Sequence, residues 1–164
     1  MTTHDIVLLP ITVADLPTLF TFEQDSVANQ MADFPPRERA AFFQHWQHNI
    51  LGVPDNLAMG IWLDGMLIGS VLSWHKPQDN KAIEGRLIGY WIDRRYWGQG
   101  IATQALQLFF PLLPQVPLFA YIASHNVGSL ALIKRYGFVK VPLTDEQRQD
   151  LPQSLQLYQR NAPL

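Results

Sequence analysis

The sequence predicts an α+β fold built on a mixed, mostly antiparallel central sheet. Three patterns support this: a hairpin signal in the first half of the chain, alternating strand and helix patterns in the second half, and two short strand patterns near the end. A hairpin joins antiparallel strands, whereas a strand-helix-strand unit joins parallel ones. A chain that contains both predicts a mixed sheet rather than a doubly wound parallel one.

The first elements are predicted from residue type and helical spacing. Residues 6–9 form an apolar strand pattern, and Thr12 with Asp15 three residues later gives a capping box at the start of a helix. Pro35 and Pro36 are predicted to open a second helix. The apolar positions assigned to the buried faces of these two helices are Leu16, Leu19, Phe20, Phe42, Phe43, Trp46 and Ile50.

The middle of the chain carries the hairpin signal. Residues 57–63 and 66–74 are rich in apolar residues, and Asp64 and Gly65 between them tolerate the positive φ of a tight turn. Residues 75–85 are polar and contain a proline, which predicts a loop. The remaining elements are predicted as strand 88–92, a helix from near residue 98 to 111–114, strand 118–123, helix 127–136, and strands 138–141 and 155–160.

Composition excludes several classes of protein. At 164 residues with 48% hydrophobic content, the chain predicts a single domain over residues 1–164. A net charge of −2, with 12 Lys and Arg that form no cluster, argues against nucleic acid or a membrane surface as partner. The absence of cysteine excludes disulfides, a zinc ribbon and a thiol nucleophile. The start of the sequence is unlike a signal peptide and no apolar run approaches about 20 residues, so the expected location is cytoplasmic.

One pair of histidines has the spacing of metal ligands. His45 and His48 lie three residues apart on the predicted second helix. No third ligand accompanies them, so a solvated helix face is the preferred interpretation and no metal is predicted.

Residues 88–113 carry the strongest functional signal, because a strand pattern passes there into a helix pattern through a glycine-containing turn. Gly98 and Gly100 leave this turn without side chains, so that backbone N–H groups can point at an anion. A helix N-terminus also carries about half a positive charge, which favours phosphate. Because Gly100 stands near the helix start, we expect it to accept valine at a cost below about 1 kcal/mol. At Gly98, a required positive φ would make a substitution affect folding as well as binding.

Two other phosphate-binding turns fit the sequence less well. A dinucleotide fingerprint needs a third glycine where Thr103 stands, and a P-loop needs a Gly-Lys-Ser/Thr sequence that does not follow. The spacing from Arg95 to Gly100 instead resembles the acetyl-CoA pyrophosphate loop of the GCN5-related N-acetyltransferases (GNAT). The wider run G-Y-W-I-D-R-R-Y-W-G-Q-G-I-A-T is similar to the RimJ/RimL-like branch of that superfamily.

A second motif strengthens the resemblance. The run N-V-G-S-L-A-L-I-K-R-Y-G-F is similar to the second cofactor-contacting helix of the family and the strand after it, and it holds Asn126, Ser129, Lys134, Gly137 and Phe138. The two motifs stand in the family's order and separation. Together they cover residues 87–141, while the N-terminal half matches only in layout.

The resemblance implies a GNAT-like sheet with helices on both faces, splayed between strands four and five, and acetyl-CoA as co-substrate. In such a site strand four would pair through Trp91 and Ile92 with pantetheine. Asn126 would reach the pantetheine arm, cap its own helix, or do both. The residues expected to hold the pyrophosphate are Arg95, Trp97, Gly98, Gln99, Gly100, Ile101 and Ala102.

The proton-transfer groups depart from the family pattern. Many members carry a glutamate where this sequence has Leu87, and the usual tyrosine acid falls at Ile133. Glu84 or a water chain could replace the base. Ser129 is the best candidate for the acid or a thiolate contact, ahead of Tyr136 and His125, and each of these three also has a purely structural interpretation.

The function implied by the resemblance is N-acetyl transfer by direct attack of a primary amine, on a protein N-terminus or a small molecule, with a strand-four N–H stabilising the oxyanion. The protein would act as a monomer or homodimer. Aromatics in residues 34–46 would either line the acceptor pocket or pack the core. The alternative function, favoured by the missing glutamate and tyrosine, is a non-catalytic CoA-binding sensor.

Overall fold

The computed structural model describes residues 5–75 and 85–161 of the chain. Their strands are β1 (Ile6–Pro10), β2 (Leu57–Leu63), β3 (Met66–His75), β4 (Arg86–Ile92), β5 (Leu118–Ala123), β6 (Val139–Val141) and β7 (Leu155–Arg160). Their α-helices are α1 (Leu16–Phe22), α2 (Ser26–Ala32), α3 (Arg39–His45), α4 (Ile101–Phe109), α5 (Val127–Arg135) and α6 (Asp145–Asp150). The strands form a sheet in the order β1-β2-β3-β4-β5-β7-β6.

The sheet opens between β4 and β5. These two strands are parallel, and they pair only through Arg86 with Leu118 and Leu87 with Phe119. The other neighbouring strands are antiparallel. Beyond Leu87 the two strands separate, which confirms the predicted mixed sheet and its splay.

The β2–β3 hairpin forms where the sequence predicts it. Asp64 and Gly65 have φ values of 50° and 78°, and Leu63 pairs with Met66 across the turn. Two successive positive φ values match the right-handed twist of the strands that the turn joins. Local turn chemistry therefore sets the register of this hairpin.

Helices cover both faces of the sheet, as predicted. On one face α4 and α5 pack through Leu106, Phe109 and Ile133 against β-strand side chains such as Ile61 and Ile88. On the other face α1 and α3 form a second cluster whose buried residues are Ile11, Leu16, Leu19, Phe22, Phe42, Trp46 and Leu67. The two faces therefore have separate apolar cores.

The structure corrects the predicted start of the second helix. α3 begins at Arg39 rather than at Pro35 and Pro36, because a proline disfavours the helical conformation of the residue before it. A π-helical turn, Trp46–Ile50, continues α3. Two helices were not predicted from the sequence, because neither has an apolar buried stripe. In α2 the buried residues are a small Ala28 and a polar Asn29, and α6 has no buried residue.

The predicted loop at 75–85 falls mostly on residues 76–84, which lie outside the described residues, and so does the candidate base Glu84. Across residues 5–75 and 85–161, no helix has the length and apolar character needed to cross a membrane.

Candidate active site

The glycine-containing turn has the backbone conformation that only glycine adopts readily. Gly98 and Gly100 have φ values of +74° and +75°, and a Cβ added at either position would meet nothing within 4 Å. The positive φ considered for Gly98 is therefore found. The expectation that Gly100 accepts valine cheaply is wrong, because left-handed backbone strains a β-branched residue by roughly 1–3 kcal/mol.

The start of α4 presents free backbone donors to this turn. The first helical hydrogen bond runs from Gln104 N–H to Gly100 O at 3.1 Å. Helix geometry then leaves the N–H groups of Ile101, Ala102 and Thr103 without helical acceptors. These donors and the helix dipole favour an anion at this end of α4.

A cavity of about 470 Å³, here named the loop cavity, lies between the turn and α5. Its lining includes residues from the turn, from the first turn of α4 and from the start of α5: Trp97, Gly98, Gly100, Ile101, Ala102 and Asn126. The residues that the sequence placed around a pyrophosphate therefore largely border one space.

Two residues of that predicted set shape the turn instead of bordering the cavity. The Arg95 guanidinium pairs with Asp93, with 2.7 Å between Nη2 and Oδ2. Gln99 Nε2 donates to Arg95 O at 3.3 Å. Trp97 borders the cavity and donates from Nε1 to Ile92 O at 2.9 Å. Side-chain contact of Arg95 and Gln99 with a ligand stays a prediction.

The main chain of β4 is open on the side where β5 departs. Arg86 N–H donates to Pro117 O towards β5, while Asp93 N–H donates to Ile68 O towards β3, at 2.9 and 2.8 Å. Successive residues of a strand direct their main-chain groups to opposite sides. Residues 88, 90 and 92 therefore direct theirs to the opening.

This alternation changes the predicted main-chain contact. Trp91 directs its main chain to β3, where it pairs with Ser70, and Ile92 O already accepts from the Trp97 indole. The N–H groups of Tyr90 and Ile92 both face the opening. The predicted contact through Ile92 therefore stays a prediction, while the one through Trp91 passes to Tyr90.

Asn126 and Ser129 lie across the opening from β4. The Asn126 side chain caps α5, with Oδ1 accepting from Ser129 N–H at 3.3 Å, so the helix-capping interpretation holds. Burial raises the pKa of Tyr90 to about 12, against a smaller opposing effect of the Ser129 side chain. Within the described chain the Tyr90 hydroxyl has no hydrogen-bond partner of good geometry. Ser129 and Tyr90 thus form a pair of hydroxyl groups at the opening.

A larger cavity of about 700 Å³, here named the helix cavity, lies beneath α1, α3 and the segment between α2 and α3. Phe34 and Trp46 border it, while Phe42 is fully buried in the core. Core packing is therefore found for Phe42, and contact of Phe34 and Trp46 with an acceptor stays a prediction. The two cavities meet at shared lining residues: Ala32, Tyr90, Trp91, Asn126 and Ser129. The sheet opening therefore connects them.

A buried carboxylate borders the helix cavity. Glu23 is 8% exposed, and burial raises its pKa to about 7, although Arg37 and a hydrogen bond from Trp46 oppose the shift. Arg37 Nη1 lies 3.9 Å from Glu23 Oε1. No sequence pattern singled out Glu23, although an acidic residue directly after the apolar run L-F-T-F was a usable signal.

The weaker candidates from the sequence have other roles. Tyr136 donates its hydroxyl to Thr103 O at 2.8 Å, and His125 Nε2 lies 2.7 Å from Gln30 O. Leu87 and Ile133 are buried apolar residues. Among the described residues, no group of three or more His, Cys, Asp or Glu could hold a metal ion.

Comparison with known proteins assigns the class. The family model described as Acetyltransferase (GNAT) domain matches residues 5–139. This chain therefore belongs to the GNAT acetyltransferase family, as its two motifs predicted. No match is found among the curated proteins.

Solved structures share the whole fold at low identity. A domain from Methanocaldococcus jannaschii has a TM-score of 0.74 and 20% identity, covering 97% of this chain and 99% of its own. An acetyltransferase from Thermus thermophilus gives 0.73 and 22%, covering 96% and 99%. RimL, the ribosomal L7/L12 alpha-N-protein acetyltransferase, in complex with coenzyme A, gives 0.72 and 20%, covering 98% and 96%. The likeness extends across the whole chain.

Proposed function

We propose that this protein is an acetyl-CoA-dependent N-acetyltransferase that acetylates a primary amine. The observation that carries the proposal is the sheet opening, at which a cavity with an anion-binding turn meets a second, larger cavity. A two-substrate reaction needs this arrangement, because the acetyl donor and the acceptor must meet from opposite sides. Tyr90, Trp91, Asn126 and Ser129 border the meeting point.

The residues of the loop cavity fit acetyl-CoA. The added-Cβ positions at Gly98 and Gly100 are open, so phosphate can approach the backbone, and the α4 N-terminus supplies free donors. The same cavity extends from there to Ser129, which also lines it. Bound acetyl-CoA supplies an activated thioester at the opening.

The protein's own groups then position and stabilise the reaction. The Tyr90 N–H faces the opening and would donate to the oxygen that becomes negatively charged during attack. The Ser129 hydroxyl would donate to the departing sulfur. Most of the acceleration would come from holding two substrates together, where effective molarities reach roughly 10⁵ M or more.

Mass spectrometry of products tests this proposal. The protein is incubated with acetyl-CoA and a panel of primary amines that includes peptides with free N-termini, polyamines and amino sugars. We expect one class to gain an acetyl group in step with release of free CoA. Acetyl-CoA binding without acetylation of any amine would contradict the proposal and favour the CoA-binding sensor.

A further inference from the structure

Glu23 occupies a fixed position on the wall of the helix cavity. It follows the last residue of α1, and its N–H donates to Leu19 O at 3.3 Å. Its own carbonyl oxygen accepts from Asn29 Nδ2 at 3.0 Å. The main chain of Glu23 is thus held from two directions, and its side chain borders the cavity.

This end of α1 is tied to the strand that forms the opening. Trp91 Nε1 donates to Phe22 O, the carbonyl immediately before Glu23, at 3.1 Å. The Trp91 ring packs edge-on against Phe34, 6.1 Å between centroids, and the Arg37 guanidinium lies 4.8 Å above the Phe34 ring. Glu23 is therefore positioned relative to β4 by direct contacts.

Leu87, at the position where many family members carry a glutamate, cannot act as a base on the same cavity wall. Leu87 and Glu23 both border the helix cavity, but Leu87 is apolar and buried. Among the described residues, Glu23 is the acidic side chain that borders either cavity. In this part of the structure, the carboxylate available to an acceptor is therefore that of Glu23 at the end of α1, and not one on β4.

We propose that Glu23 binds the ammonium group of the acceptor and takes its proton, so that the amine becomes a nucleophile. This inference rests on the proposed function. The proton moves from the ammonium nitrogen to a Glu23 carboxylate oxygen. The freed lone pair then forms the C–N bond to the acetyl carbonyl carbon, and the C–S bond breaks. A second proton passes from the nitrogen to the departing sulfur, so that the products are the neutral amide and the CoA thiol.

The proton balance favours one kind of amine. With its pKa raised to about 7 by burial, Glu23 accepts a proton from an α-ammonium of pKa about 8 at a tenfold disadvantage. An alkylammonium of pKa about 10.4 has a disadvantage of more than about a thousandfold. The preferred acceptor is therefore the α-amino group of an amino acid or peptide.

Other titratable groups face the same cavity and must be separated from Glu23. Burial, and then the charge of Arg37, lower the pKa of His45. Burial raises the pKa of Tyr121. The charged and titratable groups that border the cavity, or pair with one that does, are Arg37, His45, Asp55, His75, Tyr90 and Tyr121.

The test compares wild type with Glu23→Gln on two peptides between pH 6 and 9.5. One peptide has a free N-terminus and no lysine, and the other has a blocked N-terminus and one lysine. We expect wild-type kcat on the first peptide, measured at saturating peptide, to rise through pH 7 and level off. Glu23→Gln should lower kcat about 100-fold or more and lose this step, with acetyl-CoA affinity unchanged by calorimetry.

Three variants serve as controls. Glu38→Gln makes the same charge change at an exposed position, and it should retain the wild-type rate and pH step. His45→Gln should also retain the step, since the titrating group is the carboxylate. Glu23→Asp, the conservative variant, should keep the step at a reduced rate, and circular dichroism confirms that each variant is folded.

The outcomes separate this inference from the proposed function. A Glu23→Gln variant with wild-type rate and pH step overturns the role of Glu23, even if the wild type acetylates the peptide. Loss of the step in Glu84→Gln or His45→Gln instead of Glu23→Gln also overturns it. Faster acetylation of the lysine peptide by the wild type contradicts the α-amine preference. A wild type that binds acetyl-CoA but acetylates neither these peptides nor the wider amine panel overturns the proposed function itself.

Discussion

The loop cavity and the helix cavity meet at the same residues but are built in different ways. The anion-binding turn of the loop cavity depends on main-chain features, namely two left-handed glycines and the free N–H groups of α4, within one stretch of sequence. The helix cavity is bordered by residues from the end of α1, the segment after α2, α3 with its π-helical turn, and four strands, β3, β4, β5 and β7. The turn is local in sequence, whereas the rest of the candidate site is assembled by folding.

This difference explains what each half can recognise. Backbone donors at a helix start suit phosphate groups, which every CoA-type ligand shares. Side chains such as Glu23, Phe34 and Arg37 can change singly without altering the main chain around them. The loop cavity therefore suits a ligand that carries phosphate groups, and the helix cavity suits a ligand recognised by side chains.

The largest expected effect is on the loop cavity, in Gly100→Val. Valine at φ +75° costs roughly 1–3 kcal/mol in backbone strain. It also places a branched side chain where phosphate would approach. We expect acetyl-CoA affinity measured by calorimetry to fall about 100-fold or more, equivalent to roughly 2.7 kcal/mol, together with a lower melting temperature.

Gly100→Asn separates the two causes. Asparagine tolerates left-handed backbone, so this variant should keep its melting temperature near the wild type while its side chain still occupies the open space. If the asparagine variant also loses affinity, obstruction is the cause. Wild-type affinity in both variants would show that phosphate binds elsewhere.

A second prediction concerns the helix cavity and the pH dependence of stability. The pKa of Glu23 is raised from 4.5 to about 7, so the folded protein keeps a proton that the unfolded chain releases between these values. The stability from this proton is complete below pH 4.5 and is lost as pH rises through 7. When the pH is raised from 4.5 to 8, the free energy of unfolding of Glu23→Gln should therefore increase relative to that of wild type by roughly 3 kcal/mol.

Urea denaturation at these two pH values measures that difference. Glu38→Gln provides the matched control, because Glu38 is exposed and its replacement should leave the pH dependence unchanged. A constant difference between wild type and Glu23→Gln at both pH values would mean that Glu23 has the same pKa in the folded and the unfolded chain, and that burial does not hold its proton.

The sequence predicted the local features beside the loop cavity well, because they depend on short-range determinants. Glycine spacing, the start of α4 and the Asn126 cap are all legible within a few residues, and so is the Asp64–Gly65 turn. What was misjudged there, the conformation of Gly100, depends on how the turn enters the helix. Spacing alone does not determine a φ value.

The helix cavity was poorly predicted because its determinants are long-range. The environment of Glu23 is set by Arg37 and Trp46, which are distant in sequence. α2 lacks a clear apolar stripe, since Val27 is exposed and Asn29 is buried, so periodicity gave no signal for it. Only folding brings these groups together.

A third prediction compares ligands rather than variants. Acetyl-CoA at 100 times its dissociation constant should raise the free energy of unfolding by about 2.7 kcal/mol. An α-amino peptide added alone at the same concentration as acetyl-CoA should give a smaller rise, because we expect it to bind more weakly without the backbone donors that hold phosphate. Thermal melts with each ligand measure this, and a melt unchanged by acetyl-CoA, with no heat of binding, would contradict the assignment of the loop cavity.

The smallest expected effects come from two matched tryptophan variants. Trp91 and Trp97 each donate an indole N–H to a backbone carbonyl. Trp91 donates to Phe22 O on the helix-cavity side at 3.1 Å, and Trp97 donates to Ile92 O on the loop-cavity side at 2.9 Å. Phenylalanine keeps an aromatic ring and removes the donor, so each variant should lose about 1 kcal/mol of stability. The same chemical change is thus made on each side of the opening.

Their kinetic effects should differ. Trp91→Phe frees the end of α1 that carries Glu23, so the acceptor KM should rise and kcat should fall severalfold, while acetyl-CoA affinity stays constant. Trp97→Phe loosens the turn beside Gly98, so acetyl-CoA affinity should fall while the acceptor KM stays constant. Steady-state kinetics with calorimetry distinguishes the two. A change of the same quantity in both variants, either acetyl-CoA affinity or acceptor KM, would contradict the separation of the two cavities, because it would mean that a shift of β4 transmits each change across the opening.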